Sequence, residues 1–334
     1  MVRYIAEWED QDFVQIVFPH KQTDWNEYIE EAIENFVCIV KTIQKYQKVL
    51  VVAKELSHIK SLFKNKVNLL FVKIDSNDTW SRDFGGITIC KDDKLVVLDF
   101  KFNGWGKKYK SNLDNLVTKQ LKLKGLLKQY KHISISLVLE GGSIDTNGKG
   151  VLLTTSKCLL EKNRNPHLTK QSIEKELRKY LGIDHILWLD YGYLEGDDTD
   201  SHIDTLARFV DENTIVYQSC DDIDDIHYEE LKNMEEQLKL FRTMENKAYR
   251  LIPLPWIEKK TYQKERLPAT YVNFLFINGA VLVPKYDDKN DIKTINIFKK
   301  LFPKRDIVSI DCNTLIKQHG SLHCVTMQYP KYCI

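Results

Sequence analysis

The chain alternates short apolar runs of β-type residues with longer stretches in which apolar residues recur every three or four positions. The short runs predict strands at residues 13–18, 48–53, 69–74, 95–100, 133–139, 151–155, 185–189, 214–218, 249–253, 272–277, 280–284, 306–310 and 322–327. The longer stretches predict amphipathic helices at residues 26–46, 112–127, 170–181, 227–241 and 291–302. Alternation of this kind is typical of an α/β protein.

Five helices among about a dozen strands indicate a unit of about 60–70 residues, a length typical of repeat modules. The units share a rhythm but no visible sequence identity. Periodicity therefore leaves two architectures open, a circular arrangement of units and an open doubly wound sheet. No stretch rich in Pro, Gly and Ser interrupts the rhythm, so residues 1–334 are predicted to form a single domain.

Composition limits the classes of partner. The 334 residues are 43% hydrophobic and 29% charged, and 49 Lys and Arg against 47 Asp and Glu leave a net charge of +2. This balance favours neither a nucleic-acid nor a membrane-surface partner, and no run reaches the ~18 apolar residues that a membrane helix needs. The N-terminus turns acidic and has no apolar signal core. We therefore expect a cytoplasmic location.

The cysteines form no recognisable set. They are scattered, odd in number and without a Cys-x-x-Cys pair: Cys38, Cys90, Cys158, Cys220, Cys312, Cys324 and Cys333. The pattern indicates neither a disulfide framework nor a structural zinc site. His319, His323 and Cys324 are metal-ligand types, but their spacing lacks a second ligand pair. We expect no metal.

Polar residues are concentrated in four segments beside glycines and apolar runs, at residues 77–86, 139–145, 193–204 and 319–326. Each could be a turn, where Asp, Asn and Gly are favoured for backbone reasons. The third segment holds five carboxylates within ten residues, which repel one another unless a cation lies among them. It lacks the Asp-x-Asp-x-Asp-Gly pattern of a calcium loop.

A guanidinium substrate fits these residue types. Two carboxylates grip its planar fork, as they grip arginine, and a thiolate can then add to the central carbon. A histidine protonates the departing ammonia and later takes a proton from the attacking water. The residues that could supply this chemistry are Cys324, His202, Asp83, Asp204 and Glu140.

Five motifs together resemble the agmatine deiminases, whose family includes the bacterial-type peptidylarginine deiminases. They are Asn77-Asp78-Thr79-Trp80-Ser81-Arg82-Asp83, Leu139-Glu140-Gly141-Gly142-Ser143-Ile144, Asn163-Arg164-Asn165-Pro166, residues 196–204 and His323-Cys324-Val325-Thr326. The N-terminal Ala6-Glu7-Trp8-Glu9 and Phe18-Pro19-His20 match as well. The resemblance implies a pentein fold, a five-bladed α/β propeller of ββαβ-type units around a central active-site funnel.

The resemblance also implies an activity, the hydrolysis of agmatine to N-carbamoylputrescine and ammonia in putrescine and polyamine synthesis. Neither a metal nor an organic cofactor is implied, and the partner is a small molecule, with a homo-oligomer possible. The implied roles are Cys324 as nucleophile, His202 as general acid and base, and Asp83 and Asp204 as guanidinium clamps. Glu140 would orient His202 and help to hold the substrate. Trp80 would form an aromatic wall and Asp198 would line the substrate site.

The turn before the cysteine departs from that pattern. Most relatives read Gly-Gly-Gly-Asn-Ile-His, whereas this chain has His319-Gly320-Ser321-Leu322-His323. Two glycines are lost, which reduces the backbone freedom of the turn. Ser321 or a backbone amide would then support the developing tetrahedral centre.

Three other functions compete with this one. Arginine or peptidyl-arginine could replace agmatine as the substrate, although the acidic segment 195–204 favours a substrate that is cationic at both ends. A pentein-type binding protein without catalysis is the alternative from another class, since fold does not dictate function. A papain-like protease is excluded because its signature around the cysteine is absent.

Overall fold

The computed structural model describes residues 1–333. It contains the strands β1 (Val2–Tyr4), β2 (Gln11–Val17), β3 (Lys48–Ala53), β4 (Leu69–Lys73), β5 (Ile87–Lys91), β6 (Lys94–Lys101), β7 (Lys131–Val138), β8 (Ile144–Thr146), β9 (Val151–Thr155), β10 (His185–Leu189), β11 (Ala207–Phe209), β12 (Thr214–Gln218), β13 (Arg250–Leu254), β14 (Thr261–Tyr262), β15 (Glu265–Arg266), β16 (Leu275–Ile277), β17 (Ala280–Lys285), β18 (Asp306–Asp311) and β19 (Thr326–Pro330).

The α-helices span Ile29–Ile43, Leu56–Ser61, Ser81–Phe84, Val117–Leu123, Ser156–Leu159, Lys170–Leu181, Tyr228–Leu240, Asp291–Leu301 and Asn313–Ile316. Short 3-10 helices span Asp24–Tyr28, Asp114–Leu116, Gly141–Ser143 and Ile203–Thr205. Within residues 1–333, no helix combines the length and apolarity needed to cross a membrane.

The strands form five main sheets that share one topology. In each, an antiparallel pair is followed by a helix and then by a strand parallel to the second member of the pair; the pairs are β5–β6, β8–β9, β11–β12, β16–β17 and β19–β2. The parallel partners are β7, β10, β13, β18 and β3, and β1 and β4 extend two of the sheets. Five structural units thus explain the five-helix rhythm of the sequence.

The first unit is completed by the last strand. β19 pairs with β2, so the C-terminal end of the described chain is hydrogen-bonded to the N-terminal sheet. β3 is flanked by β2 and β4 and is buried except at its first residue, Lys48. A strand covered on both faces must be apolar throughout, which is why it reads as a continuous run, Val49 to Ala53.

The units are joined by five inter-unit connections, at residues 74–86, 139–143, 190–206, 255–274 and 312–325. Each of the four polar segments found in the sequence falls mostly in one of them. The remaining connection, 255–274, carries the β14–β15 hairpin and contained no predicted motif.

The predicted α/β class is confirmed, and the five predicted helices are present. The strand predicted at residues 322–327 is largely wrong, because β19 begins only at Thr326 and residues 322–325 form a turn. Its apolar members, Leu322 and Val325, point into the core and gave a strand-like pattern. The absence of a disulfide was also a wrong expectation: Cys90 on β5 is bonded to Cys333. The two are 243 residues apart, a separation that carries no pairing signal.

Candidate active site

A cavity of about 110 Å3 lies where the inter-unit connections meet, and six of the seven predicted site residues line it. They are Trp80, Asp83, Asp198, His202, Asp204 and Cys324. The seventh, Glu140, is fully buried behind the cavity wall. Residues far apart in sequence therefore meet because each follows the last strand of a unit.

Cys324 lies in the turn before β19, with 8% of its surface exposed. Its Sγ is 3.4 Å from Asn273 Oδ1 and 3.8 Å from Asp204 Oδ2. Its carbonyl accepts a hydrogen bond from the backbone N–H of Arg82. Burial, followed by the charges of Asp204 and Asp83, raises the pKa of the thiol well above its ordinary value, while a hydrogen bond from the backbone of Ser321 opposes the shift. The thiol is protonated when the pocket holds no cation.

Asn273 connects this turn to the loop that carries Asp204. Its Oδ1 accepts from the backbone N–H of His323 at 2.8 Å, and its Nδ2 donates to the Asp204 carbonyl at 3.2 Å. Asn273 is completely buried and was missed by the sequence analysis. It lies in connection 255–274, the one without a motif.

His202 and Asp83 face each other across the base of the cavity. His202 Nδ1 is 3.5 Å from Asp83 Oδ1, while His202 Nε2 is buried without a hydrogen-bond partner among residues 1–333. Burial lowers the pKa of His202 to about 3, so the imidazole is neutral. Burial, and then the charges of Asp204 and Glu140, raise the pKa of Asp83 well above its ordinary value.

Gly142 forms the floor between these groups. Its backbone N–H donates to Asp83 Oδ1 at 3.0 Å. A Cβ at this position would lie 2.7 Å from His202 Nδ1 and 2.8 Å from Asp83 Oδ1. Only glycine lets the backbone approach both groups so closely, which accounts for the Gly-Gly of the second polar segment.

Glu140 is paired with Arg164 and lies beside His202. Its two oxygens share the single N–H of Arg164 Nε, at 2.9 and 3.0 Å, and its Oε2 is 4.0 Å from His202 Nε2. Its predicted contact with the substrate remains a prediction, since Glu140 is fully buried, is paired with Arg164 and does not line the cavity. Burial raises the pKa of Glu140 and Arg164 opposes that shift.

The acidic segment 195–204 is stabilised partly by cations and backbone N–H groups of the chain itself. Asp200 pairs with Arg164 at 2.6 Å and with Lys108 at 2.7 Å. Asp197 accepts from the backbone N–H groups of Thr199 and Ser201 and so fixes the loop. The expected repulsion among these carboxylates is therefore partly relieved without any ligand.

Asp198 remains at the rim of the cavity. Its Oδ2 accepts from Tyr109 Oη at 2.6 Å, and its carbonyl accepts from Lys108. Tyr109 follows a left-handed turn at residues 104–107, in which Trp105 has φ 52°. This turn brings Trp105 into the cavity, where its Nε1 donates to Asp83 Oδ2 at 2.8 Å. The signal that could have revealed it is the Gly-Trp-Gly sequence at 104–106.

Trp80 forms one wall of the cavity. Its Nε1 donates to Asp78 Oδ2 at 3.1 Å, and its ring lies directly against Gly320, where a Cβ would collide with it. Gly320 is the one glycine of the expected Gly-Gly-Gly that this chain keeps, and it is the position that must be glycine because of Trp80.

His319 replaces another of the expected glycines and adopts φ 65°. A non-glycine residue there costs about 1–2 kcal/mol, but His319 Nδ1 donates to the Gly196 carbonyl at 2.7 Å, which holds the turn in place. The alternative that Ser321 supports the reaction through its hydroxyl is not met, because that group is hydrogen-bonded to Tyr286 Oη at 2.7 Å in the core.

Glu140, Cys158 and His202 are close enough to form a three-ligand metal cluster. Arg164 already occupies the Glu140 carboxylate, and a second cation beside it would be repelled. The donor set therefore does not fit a resident metal ion.

The chain matches known proteins over nearly its whole length. The model of the Porphyromonas-type peptidyl-arginine deiminase family matches residues 3–330. The agmatine deiminase of Medicago truncatula is 33% identical, covering 97% of this chain and 95% of its own, and that of Pseudomonas aeruginosa is 31% identical, covering 98% and 95%.

Solved structures give the same result. A C. jejuni agmatine deiminase with a cysteine-to-serine change and substrate bound is 42% identical, with a TM-score of 0.94 over 99% of this chain and 97% of the other. DDAH from Pseudomonas aeruginosa, 10% identical with a TM-score of 0.52 over 96% and 100%, shares the fold alone. The chain therefore belongs to the Porphyromonas-type peptidyl-arginine deiminase family, which includes the agmatine deiminases.

Proposed function

We propose that this protein is an agmatine deiminase, which hydrolyses agmatine to N-carbamoylputrescine and ammonia in putrescine and polyamine synthesis. One observation carries the proposal. A buried thiol, an imidazole and two carboxylates share a cavity lined by six aspartates, and within residues 1–333 its lining includes no Lys or Arg. The agmatine deiminases of M. truncatula and P. aeruginosa, which match over nearly their whole length, support it.

The charge of the substrate starts the reaction. Without it, Cys324 is a thiol beside Asp204 and Asp83, whose charges oppose the thiolate. A guanidinium bound between those two aspartates neutralises them and adds a positive charge next to the sulfur, which lowers the thiol pKa. The thiolate then bonds to the guanidinium carbon.

His202 carries the proton. Because its imidazole is neutral, it can accept the proton of Cys324 and pass it to the nitrogen that leaves as ammonia. The resulting amidino-cysteine is attacked by water, whose proton His202 removes. Collapse of that adduct breaks the carbon–sulfur bond and releases the ureido product.

The proposal includes the architecture. A single catalytic domain over residues 1–334 would arrange the five units as propeller blades around a funnel that ends at the cavity. The pairing of β19 with β2 supports it, because it links the last unit to the first. The meeting of distant connections at one cavity supports it as well.

The substrate choice follows from charge. Agmatine is cationic at both ends, whereas arginine adds an α-carboxylate that would enter a lining with no described Lys or Arg. We expect agmatine to be preferred over arginine and an arginine peptide by at least about tenfold in kcat/KM, the equivalent of about 1.4 kcal/mol. Ammonia release from the three substrates, with mass detection of an adduct on Cys324, measures this.

A preference for arginine or the peptide would overturn the assignment of agmatine as the substrate, but the deiminase chemistry would stand. No ammonia from any of the three would favour the non-catalytic alternative.

The raised thiol pKa predicts a pH dependence. Alkylation requires the thiolate, so in substrate-free protein we expect the rate of Cys324 alkylation by iodoacetamide to keep rising as the pH passes 9.0, the ordinary value for the group. Peptide mass spectrometry follows Cys324 beside Cys38, an exposed thiol in the same sample. A rate for Cys324 that is already constant below pH 8 would contradict the raised pKa.

A further inference from the structure

His323, the residue before the nucleophile, joins two buried carboxylates from distant parts of the chain. Its Nδ1 is 2.7 Å from Asp204 Oδ2, and its Nε2 is 2.7 Å from Glu7 Oε2. The exposed fractions of His323, Glu7 and Asp204 are 3%, 7% and 1%. Water therefore does not mediate these contacts.

Two contacts of this length require two protons. A neutral imidazole has one N–H and an ionised carboxylate has none. With a single proton, a ring lone pair would face a carboxylate oxygen at 2.7 Å, and these two buried acceptors would repel each other, which is costly. Burial and the charges of Arg208 and Arg82 lower the pKa of His323. Both contact lengths nevertheless require a proton between the two atoms, so the chain of Glu7, His323 and Asp204 holds two protons.

Glu7 anchors the far end of this chain. Its Oε2 is 2.8 Å from Arg208 Nη2, and its Oε1 accepts from the backbone N–H of Phe276 at 2.9 Å. Arg82 Nη2 lies 3.6 Å from the same carboxylate. With Glu7 fixed by three neighbours, the imidazole between it and Asp204 has little freedom to rotate.

The near end faces the cavity. Asp204 Oδ2 is held by His323, whereas Asp204 Oδ1 is buried without a hydrogen-bond partner among residues 1–333. Burial acts to raise the pKa of Asp204, but the hydrogen bond and charge of His323 outweigh it and lower the pKa. One oxygen is thus fixed while the other remains free as an acceptor.

We infer that His323 is a positioning residue of the reaction: anchored to Glu7 and sharing two protons with both carboxylates, it holds Asp204 with one oxygen free to grip the guanidinium. The assignment rests on the proposed function, because it concerns the grip on that substrate. His323 itself does not line the cavity and acts through Asp204.

The kinetic test compares two histidine variants. In His323→Gln the amide donates to one carboxylate only, so Asp204 loses either its donor or the anchor to Glu7 behind that donor. We expect KM for agmatine to rise about tenfold to a hundredfold, the range for one hydrogen bond to a charged group. His132→Gln is the matched control and should leave KM unchanged, since His132 is a partly buried histidine 3.0 Å from Asp99 on neighbouring strands away from the cavity. An unchanged KM in His323→Gln, or an equal rise in the control, overturns the inference.

The spectroscopic test needs no turnover and therefore separates this inference from the proposed activity. We expect two downfield, slowly exchanging proton resonances from the chain in the unchanged protein, at least one of them coupled to nitrogen in protein labelled with 15N-histidine. Both should be absent in His323→Gln and present in His132→Gln. A single such resonance from the chain in the unchanged protein overturns the inference, even if His323→Gln fails to fold.

Discussion

Cys324→Ala is expected to abolish agmatine turnover, to below about 10⁻⁴ of the unchanged protein, as is typical when a covalent nucleophile is removed. The physical reason is that no other thiol is available at the cavity: of the described cysteines, only Cys324 lines it. The other acidic side chains at the cavity are aspartates. Because Asp83 and Asp204 are buried beside one another, they are suited to bind the cationic substrate. Ammonia release and mass detection of the covalent adduct measure the loss.

The variant should remain folded. The thiol is small, and its contacts with Asn273 and Asp204 are long, at 3.4 and 3.8 Å. Thermal unfolding with and without agmatine tests this, because a ligand that binds only the folded state raises the midpoint. Cys38→Ala, at an exposed thiol, is the control and should keep full activity. Turnover by Cys324→Ala within tenfold of normal would refute the covalent mechanism.

The sequence revealed those elements whose signal is local. The helix predicted at residues 170–181 has those bounds in the structure. Thr169 caps it by accepting from the backbone N–H of Ser172, and Gly182 ends it at φ 66°. Caps of this kind lie within a few residues of the helix and can be read directly.

Long-range partners carried no such signal. Glu7 and His323 are 316 residues apart, and nothing in either segment specifies the other. Asn273 lies among apolar residues in the connection without a motif. Once the five-unit topology is known, that connection becomes the place to look for a further site residue, since the other four each bring a side chain or backbone group to the same centre.

The partners of Asp200 in the acidic segment also required the structure. By residue type alone, Asp198, Asp200 and Asp204 are equivalent carboxylates in one loop; the resemblance gave roles to Asp198 and Asp204 but none to Asp200. In the structure, Asp200 is neutralised by Arg164 and Lys108, and Asp198 and Asp204 line the cavity. Which carboxylate meets which cation is decided by the approach of the loops, not by local composition.

His202→Ala is expected to lower kcat by about 10²- to 10⁴-fold, the contribution of a positioned acid and base. His202 lines the cavity, with Nδ1 3.5 Å from Asp83 Oδ1. Burial lowers the pKa of His202 to about 3, so its imidazole is a weak base. It can take the proton of Cys324 only when a bound guanidinium stabilises the thiolate that this transfer leaves behind. Without it, neither the thiol proton nor the leaving ammonia has a carrier.

This variant separates proton transfer from binding. Asp83 and Asp204 keep their own contacts, with Trp105 and with His323, so KM for agmatine should change much less than kcat. Steady-state kinetics across pH measures both constants, and added imidazole should restore part of kcat if the ring acts as the proton carrier. A loss confined to KM, with kcat preserved, would instead make His202 a substrate-binding group, and the proton would have to travel by way of Asp83.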